Sequence, residues 1–412
     1  MARAPMPMSI FGIDCWLCYL RPYLLNPFSL LQTGSDQETF LTNLSSSTRR
    51  RVKNKFYFVL FLWVPLYSAE AVTQVLNLGT ILKTNEEAEE YLQFPWSMDI
   101  DDQGRILVAD VLARKIFVWD ANGEFLTTFG KQGKGPGEFM FTGRHSGGYQ
   151  AYVAAYNKRV YVYDGSERRL NIFDENFQFQ KAVSFKLSGR TESFFVTQNE
   201  DIVLFQRNYS RTVPSLDVAC YNLDGELKQT LNSQEDTTFS RITENGKIRN
   251  IVYHAYSPTT YLHYDRSRDE LLFGNTGIPA IQTHDVRGNH TASIPLEIVP
   301  ARVSTRDRME YGQQFWLKNS KFLKADYPDH KAYFDMVLPL GPDHFFVYYQ
   351  SPVEKRIEGR IIDRQGRLIG KKVNFVCGEG GGLFGARGRI MVIRLDENDD
   401  YNIQELSLPR KR

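Results

Sequence analysis

The sequence has little of what staples a small fold together or holds a metal. Its 412 residues include four cysteines, Cys15, Cys18, Cys220 and Cys377, and seven histidines. Cys15 and Cys18 form a lone CxxC without a second ligand pair, which is weak ground for a zinc site. Cys220 and Cys377 lie far apart and read as separate buried thiols. An excess of one charge is also missing. Lys plus Arg number 50 and Asp plus Glu 48, a net +2, so no electrostatic reason draws the chain to nucleic acid. No apolar run reaches the ~20 residues that a bilayer helix needs. The longest, Phe56–Tyr67, has 12 residues and contains Pro65. A phosphate loop is absent too, because the glycine-rich stretch Gly130–Glu138 lacks the Gly-Lys-Ser/Thr ending. What is there is ordinary globular composition, 42% hydrophobic and 24% charged, with 13% aromatic residues. The aromatic share favours strands.

A cationic cluster, Arg49, Arg50, Arg51, Lys53 and Lys55, runs straight into Phe56–Tyr67 and then into Ser68 and Ala69. That is the layout of a secretory signal. Residues 49–69 are therefore expected to be a signal peptide, and the protein to be exported to the periplasm or cell exterior. A retained anchor is the alternative. Residues 1–48 show no sustained helix or strand period, and translation is expected to begin near Val52. Beyond residue 69 the chain carries 43 basic and 45 acidic residues, about −2.

An internal repeat carries the fold argument. Five segments share one pattern, around 117–130, 171–185, 219–232, 282–296 and 360–375: a strand-like run, a tight turn and a second run. The turns are anchored by Asp120, Asn222, Asp285 and Asp363, each followed three residues on by Gly123, Gly225, Gly288 and Gly366. The remaining copy has Asp174 followed by Phe177. Asp or Asn ties such a turn with its side chain, and Gly accepts its positive φ. Each hairpin is preceded by another pair of strand-like runs, clearest at Trp96–Ile100 and Arg105–Ala109. Four antiparallel strands repeating every ~40–50 residues are the mark of a propeller blade. The chain ends on three further strands, while Val72–Leu82 near its start is a strand without a partner. Adding one to the other predicts an all-β, six-bladed β-propeller of four-stranded antiparallel blades over 70–412, its last blade closed by the N-terminal strand.

The first blade resembles NHL-type repeats. The phrases that carry this are MDIDDQGRILVAD (98–110), KIFVWDANGEF (115–125) and TTFGKQGKGPGEF (127–139). The stretch Asp326–Asp335 (DYPDHKAYFD) is similar to a motif of exported bacterial six-bladed β-propeller proteins of largely unknown function. The resemblance implies the fold over about 72–408 and little about activity.

Candidate site residues follow from blade geometry. Arg144, Arg190 and Arg249 fall in connections between blades, and Asp110, Arg114, Asp164 and Arg168 in the loops between second and third strands. Both kinds of loop gather on one face, where these side chains are expected to ring an axial funnel that binds an anionic or carbohydrate ligand, or a protein. Interblade ion pairs are the alternative. One long insertion, Glu297–Lys331, spaces Met309, Trp316 and Leu323 seven apart, which predicts a helix over 306–325 as a lid on the funnel or as packing on the rim. The expected protein is a monomeric binding protein with no cofactor, no metal and no transmembrane span in the mature chain. A metal-dependent lyase or lactonase-type propeller enzyme and an envelope scaffold subunit are the alternatives.

Overall fold

Each of the five repeated turns is held by the side chain the pattern singled out. Oδ1 of Asp120 accepts from the backbone N–H of Asn122 at 2.9 Å and of Glu124 at 2.8 Å. Asp174, Asn222, Asp285 and Asp363 repeat this geometry at their own turns. The residue three places on is left-handed each time, with φ between 82° and 88° at the four glycines and 63° at Phe177. Phe177 bears that strained conformation because its ring stacks on Phe129 of the preceding blade, 4.8 Å between centroids, beneath the Arg105 guanidinium.

The structure, a computed structural model, describes residues 79–80 and 91–406 except 144–147, 188, 210–213, 246, 352–355, 378–381 and 396–399. Five blades are four-stranded antiparallel meanders in sequence order. In blade 1 the strands are Pro95–Ile100, Ile106–Asp110, Lys115–Trp119 and Phe125–Phe129. Blades 2 to 5 occupy 151–184, 190–235, 260–295 and 336–376. Blade 6 consists of Gly382–Ala386, Arg389–Leu395 and Tyr401–Glu405, with Gly79–Thr80 antiparallel to the last. The rest of the expected closing strand, and the expected signal at 49–69, lie outside the described residues.

The first strands of successive blades touch in an unbroken cycle, the sixth returning to the first. They therefore surround an axis. Six hydrophobic clusters fill the six interfaces between blades. Strand alternation explains how one blade serves two of them. In Ile106–Asp110, Leu107 and Ala109 pack toward blade 2, while Ile106 and Val108 pack toward blade 6. No strand can bury both faces alone, so the repeat is stable only as a ring. Cys220 and Cys377 are both buried and not joined to each other.

Turn glycines are required by this packing as well as by φ. A Cβ on Gly366 would stand 2.2 Å from the carbonyl oxygen of Pro295 in blade 4, and one on Gly225 2.5 Å from that of Ser184 in blade 2. Gly366→Ala, with φ at 84°, is expected to lower stability by about 2 kcal/mol through strain and clash, read by urea unfolding. A cost under about 0.5 kcal/mol would show that the turn stands clear of its neighbour.

Alternating strand direction sorts the loops. Turns joining strands 1–2 and 3–4 lie at one end, here the turn face. The loops joining strands 2–3, and the links between blades, lie at the other, the connection face. Two long links distinguish the connection face. The link into blade 4 forms a hairpin, Phe239–Glu244 with Lys247–His254. The insertion after blade 4 adds Leu323–Asp326 parallel to Lys247–His254, completing a three-stranded sheet. This corrects the helix expected over 306–325. A capped helix spans Thr305–Gly312, with Ser304 and Asp307 forming a reciprocal capping box. It stops at Gly312, a poor helix former. A single turn follows at Phe315–Lys318, and Leu323 is drawn into strand pairing.

Candidate functional site

Toward the turn face one side chain crosses between opposite blades. Arg266, one residue past the first strand of blade 4, reaches across to blades 1 and 2. Its guanidinium lies 2.9 Å from Oδ2 of Asp99 and donates to the Ala155 carbonyl at 2.7 Å. The same Asp99 oxygen accepts from the Ala155 N–H at 2.8 Å. Burial works against the charge on Arg266, but the Asp99 carboxylate outweighs it and holds the group above its ordinary value. Deeper along the same strand, Nδ1 of His263 accepts from the Tyr264 N–H at 2.7 Å, and its ring lies 5.4 Å from that of Phe195 in blade 3. Burial pushes the His263 imidazole below its ordinary value, so it is neutral near pH 7.

The connection face holds the residues singled out from sequence, in different employments. Asp110 and Asp164 are fully buried. Oδ2 of Asp110 accepts from the N–H groups of Gln93 and Phe94 at 2.6 and 2.8 Å, and Oδ1 from Ala113 at 2.8 Å. Asp164 does the same for Met140, Phe141 and Ser166. Each carboxylate thus ties the incoming link to the 2–3 loop of its blade, and burial raises the pKa of both. Arg114 and Arg168 stand in left-handed loop positions, and Arg168 donates to the Leu187 carbonyl at 2.5 Å. Arg249 is exposed on the added hairpin and pairs with Glu244 of the same hairpin. Arg144 lies outside the described residues.

Arg190 is brought into a cluster. It opens the innermost strand of blade 3 with its side chain only 4% exposed, and its Nε lies 3.8 Å from Oε1 of Glu192. Arg207 approaches the same oxygen at 3.2 Å and Asp236 at 3.0 Å. The Nε2 of buried Gln206 beside them has no acceptor among the described residues. Tyr152 of blade 2 closes the flank, its hydroxyl donating to the carbonyls of Thr191 and Glu192. Arg207, Gln206 and Asp236 were not expected. The signal for Gln206 and Arg207 is the polar ending of Ile202–Asn208 (IVLFQRN), where blades 1 and 2 end on a single Asp.

A second cluster lies where the insertion meets blade 5. The Lys331 ammonium sits 5.0 and 5.1 Å from the ring centroids of Tyr256 and Tyr349 and 2.6 Å from Oδ1 of Asp307 on the helix. The Tyr256 hydroxyl donates to the Asp307 carbonyl at 3.1 Å. Nearby, the Asp335 carboxylate accepts from the Gln350 N–H at 2.6 Å, and burial pushes its pKa up to about 7. Lys331 and Asp335 both belong to the DYPDHKAYFD stretch.

Comparison with known proteins agrees with this architecture. Residues 82–145 match a family described as 6-bladed beta-propeller. A Bacteroides fragilis protein named as exported superposes with a TM-score of 0.51 at 12% identity, covering 83% of this chain and 98% of its own. The chain is a six-bladed β-propeller. A member of the duf4221 family from Bacteroides vulgatus gives a TM-score of 0.44 at 11% identity, over 77% of this propeller and 96% of its own chain. Virginiamycin B lyase from Staphylococcus aureus gives 0.37 at 12%, over 81% and 89%. No curated protein matches the sequence. No helix among the described residues is long and apolar enough to cross a membrane.

Proposed function

We propose that this propeller is an exported binding protein that takes a small anionic or carbohydrate ligand at the connection face, beside the innermost strand of blade 3. The observation that carries the reading is the pair Arg190 and Arg207, with side chains 4% and 13% exposed, aimed at a single Glu192 oxygen. Guanidinium groups held out of water in fixed orientation suit forked recognition of a carboxylate, sulfate or phosphate. Glu192 then acts as an internal stand-in that such an anion displaces. Half-buried Tyr152, on the neighbouring innermost strand of blade 2, offers an aromatic edge to a sugar ring. The Arg266–Asp99 pair crosses the axis at the turn face, which supports entry of the ligand from the connection face. Export is supported by the Arg49–Ala69 layout, and closure of blade 6 by residues 72–82 is supported by the Gly79–Thr80 pairing. The protein acts as a monomer in this reading.

Thermal shift of the full chain with citrate, glucuronate, inorganic phosphate and neutral glucose tests the reading. Anions are expected to raise the midpoint by several degrees, Arg207→Gln to abolish the response and Glu192→Gln to enlarge it. A response to divalent metals alone, or anion responses indifferent to both substitutions, would turn the assignment toward an axial metal enzyme or a scaffold.

A further inference from the structure

The three-stranded sheet on the connection face has one face packed and one open. Phe239, Ile251 and Tyr253 are buried against Tyr209 and Leu323. The other face carries the alternate residues. Ile242 pairs with Asn250, and Val252 pairs with both Ser240 and Lys324. The Phe322 carbonyl oxygen accepts from the Ile251 N–H, which places Phe322 beside Asn250. Phe322, Ile242 and Ile248 are 67%, 46% and 43% exposed. Such a concentration of large apolar side chains on one small sheet is unusual for a free surface.

The charge around them is basic on balance. Lys318, Lys321 and Lys324 are exposed on the insertion and Lys247 and Arg249 at the end of the hairpin, where Arg249 is paired with Glu244, while Asp326 is exposed on the same strand as Lys324. The chain beyond residue 69 is about −2 as a whole, so this basic patch is local. We propose that the outer face of this sheet docks on an anionic lipid surface, with Phe322 and the two isoleucines below the headgroups and the lysines at the phosphates. A small group of projecting apolar side chains bordered by lysines suits that interface. The apolar bodies bury while the ammonium groups snorkel to the anions, each worth an appreciable share of the attraction. An acidic protein surface would share the charge but would call for shape complementarity that three projecting side chains do not provide. The axial ligand plays no part in this docking.

Hydrogen exchange on the full chain, with and without vesicles, provides a site-resolved test. Vesicles of 30% phosphatidylglycerol in phosphatidylcholine are expected to slow exchange several-fold in 239–254 and 318–326. Pure phosphatidylcholine is expected to do so far less, and 0.5 M NaCl to reverse the effect. Phe322→Ser and the pair Lys321→Glu with Lys324→Glu are each expected to remove the protection, with the melting temperature unchanged because these side chains are exposed. Absence of vesicle-dependent protection in these segments, or protection equal in both variants, would overturn the proposal and leave the face to an acidic protein partner.

Discussion

Arg266→Met is expected to destabilise the protein by about 3 kcal/mol. Methionine matches much of the arginine stem but takes away the guanidinium that spans three blades. Asp99 would remain as a largely buried carboxylate facing two N–H groups and no cation, and the Ala155 carbonyl would lose its donor. Removing one partner of a buried pair is costlier than the pair is worth, typically ~3–5 kcal/mol. The lower end applies because Arg266 and Asp99 retain 16% and 11% of their side-chain exposure. Urea unfolding gives the number. The double variant Arg266→Met with Asp99→Asn is expected to recover much of the loss, since no orphaned charge remains. If the single substitution costs less than about 1 kcal/mol, the axis is held by strand packing alone.

Asp335→Asn is expected to stabilise the protein in alkaline solution and not in acid. Burial raises the Asp335 pKa from an ordinary 3.8 to about 7. A carboxyl group raised in the folded state binds its proton more tightly there than in the unfolded chain. Its contribution is therefore fully present below pH ~4 and is lost as the pH climbs through 7. Three units correspond to about 4 kcal/mol at most. The asparagine oxygen still accepts from the Gln350 N–H and does not ionise. Parent and variant are thus expected to be equal near pH 3 and to differ by about 4 kcal/mol at pH 8.5, in urea unfolding across that range. The groups around it are Lys331, Tyr349, Tyr256 and Asp307. A difference that stays flat with pH would mean that Lys331 keeps Asp335 ionised throughout.

The parts of this fold that were legible in the sequence are those decided within a few residues. The turns at Asp120, Asp174, Asn222, Asp285 and Asp363 bond to backbone two and four residues ahead, so spacing alone revealed them and, through them, the blades. The pair across the axis was not legible. Arg266 and Asp99 are 167 positions apart, and nothing near either residue announces the other. Parallel pairing of Leu323–Asp326 with Lys247–His254 joins two separate links, which is why a helical period read through the insertion overran Gly312. Asp110 and Asp164 were visible as loop carboxylates. Their commitment to backbone N–H groups of the incoming link depends on how the chain enters the blade, which local pattern does not specify.

A circle of blades has no terminal unit that can fray by itself, and force applied anywhere is shared to the left and the right. Every pair of neighbouring blades is joined by the chain itself, the sixth to the first through the passage from Gly79–Thr80 to Pro95, so the one junction without a covalent crossing is the pairing of Gly79–Thr80 with Gln404 and Glu405 inside blade 6. That junction is the natural seam, where stretching or heat would first pry the circle into an open arc, and where a covalent clasp would do the most to slow it.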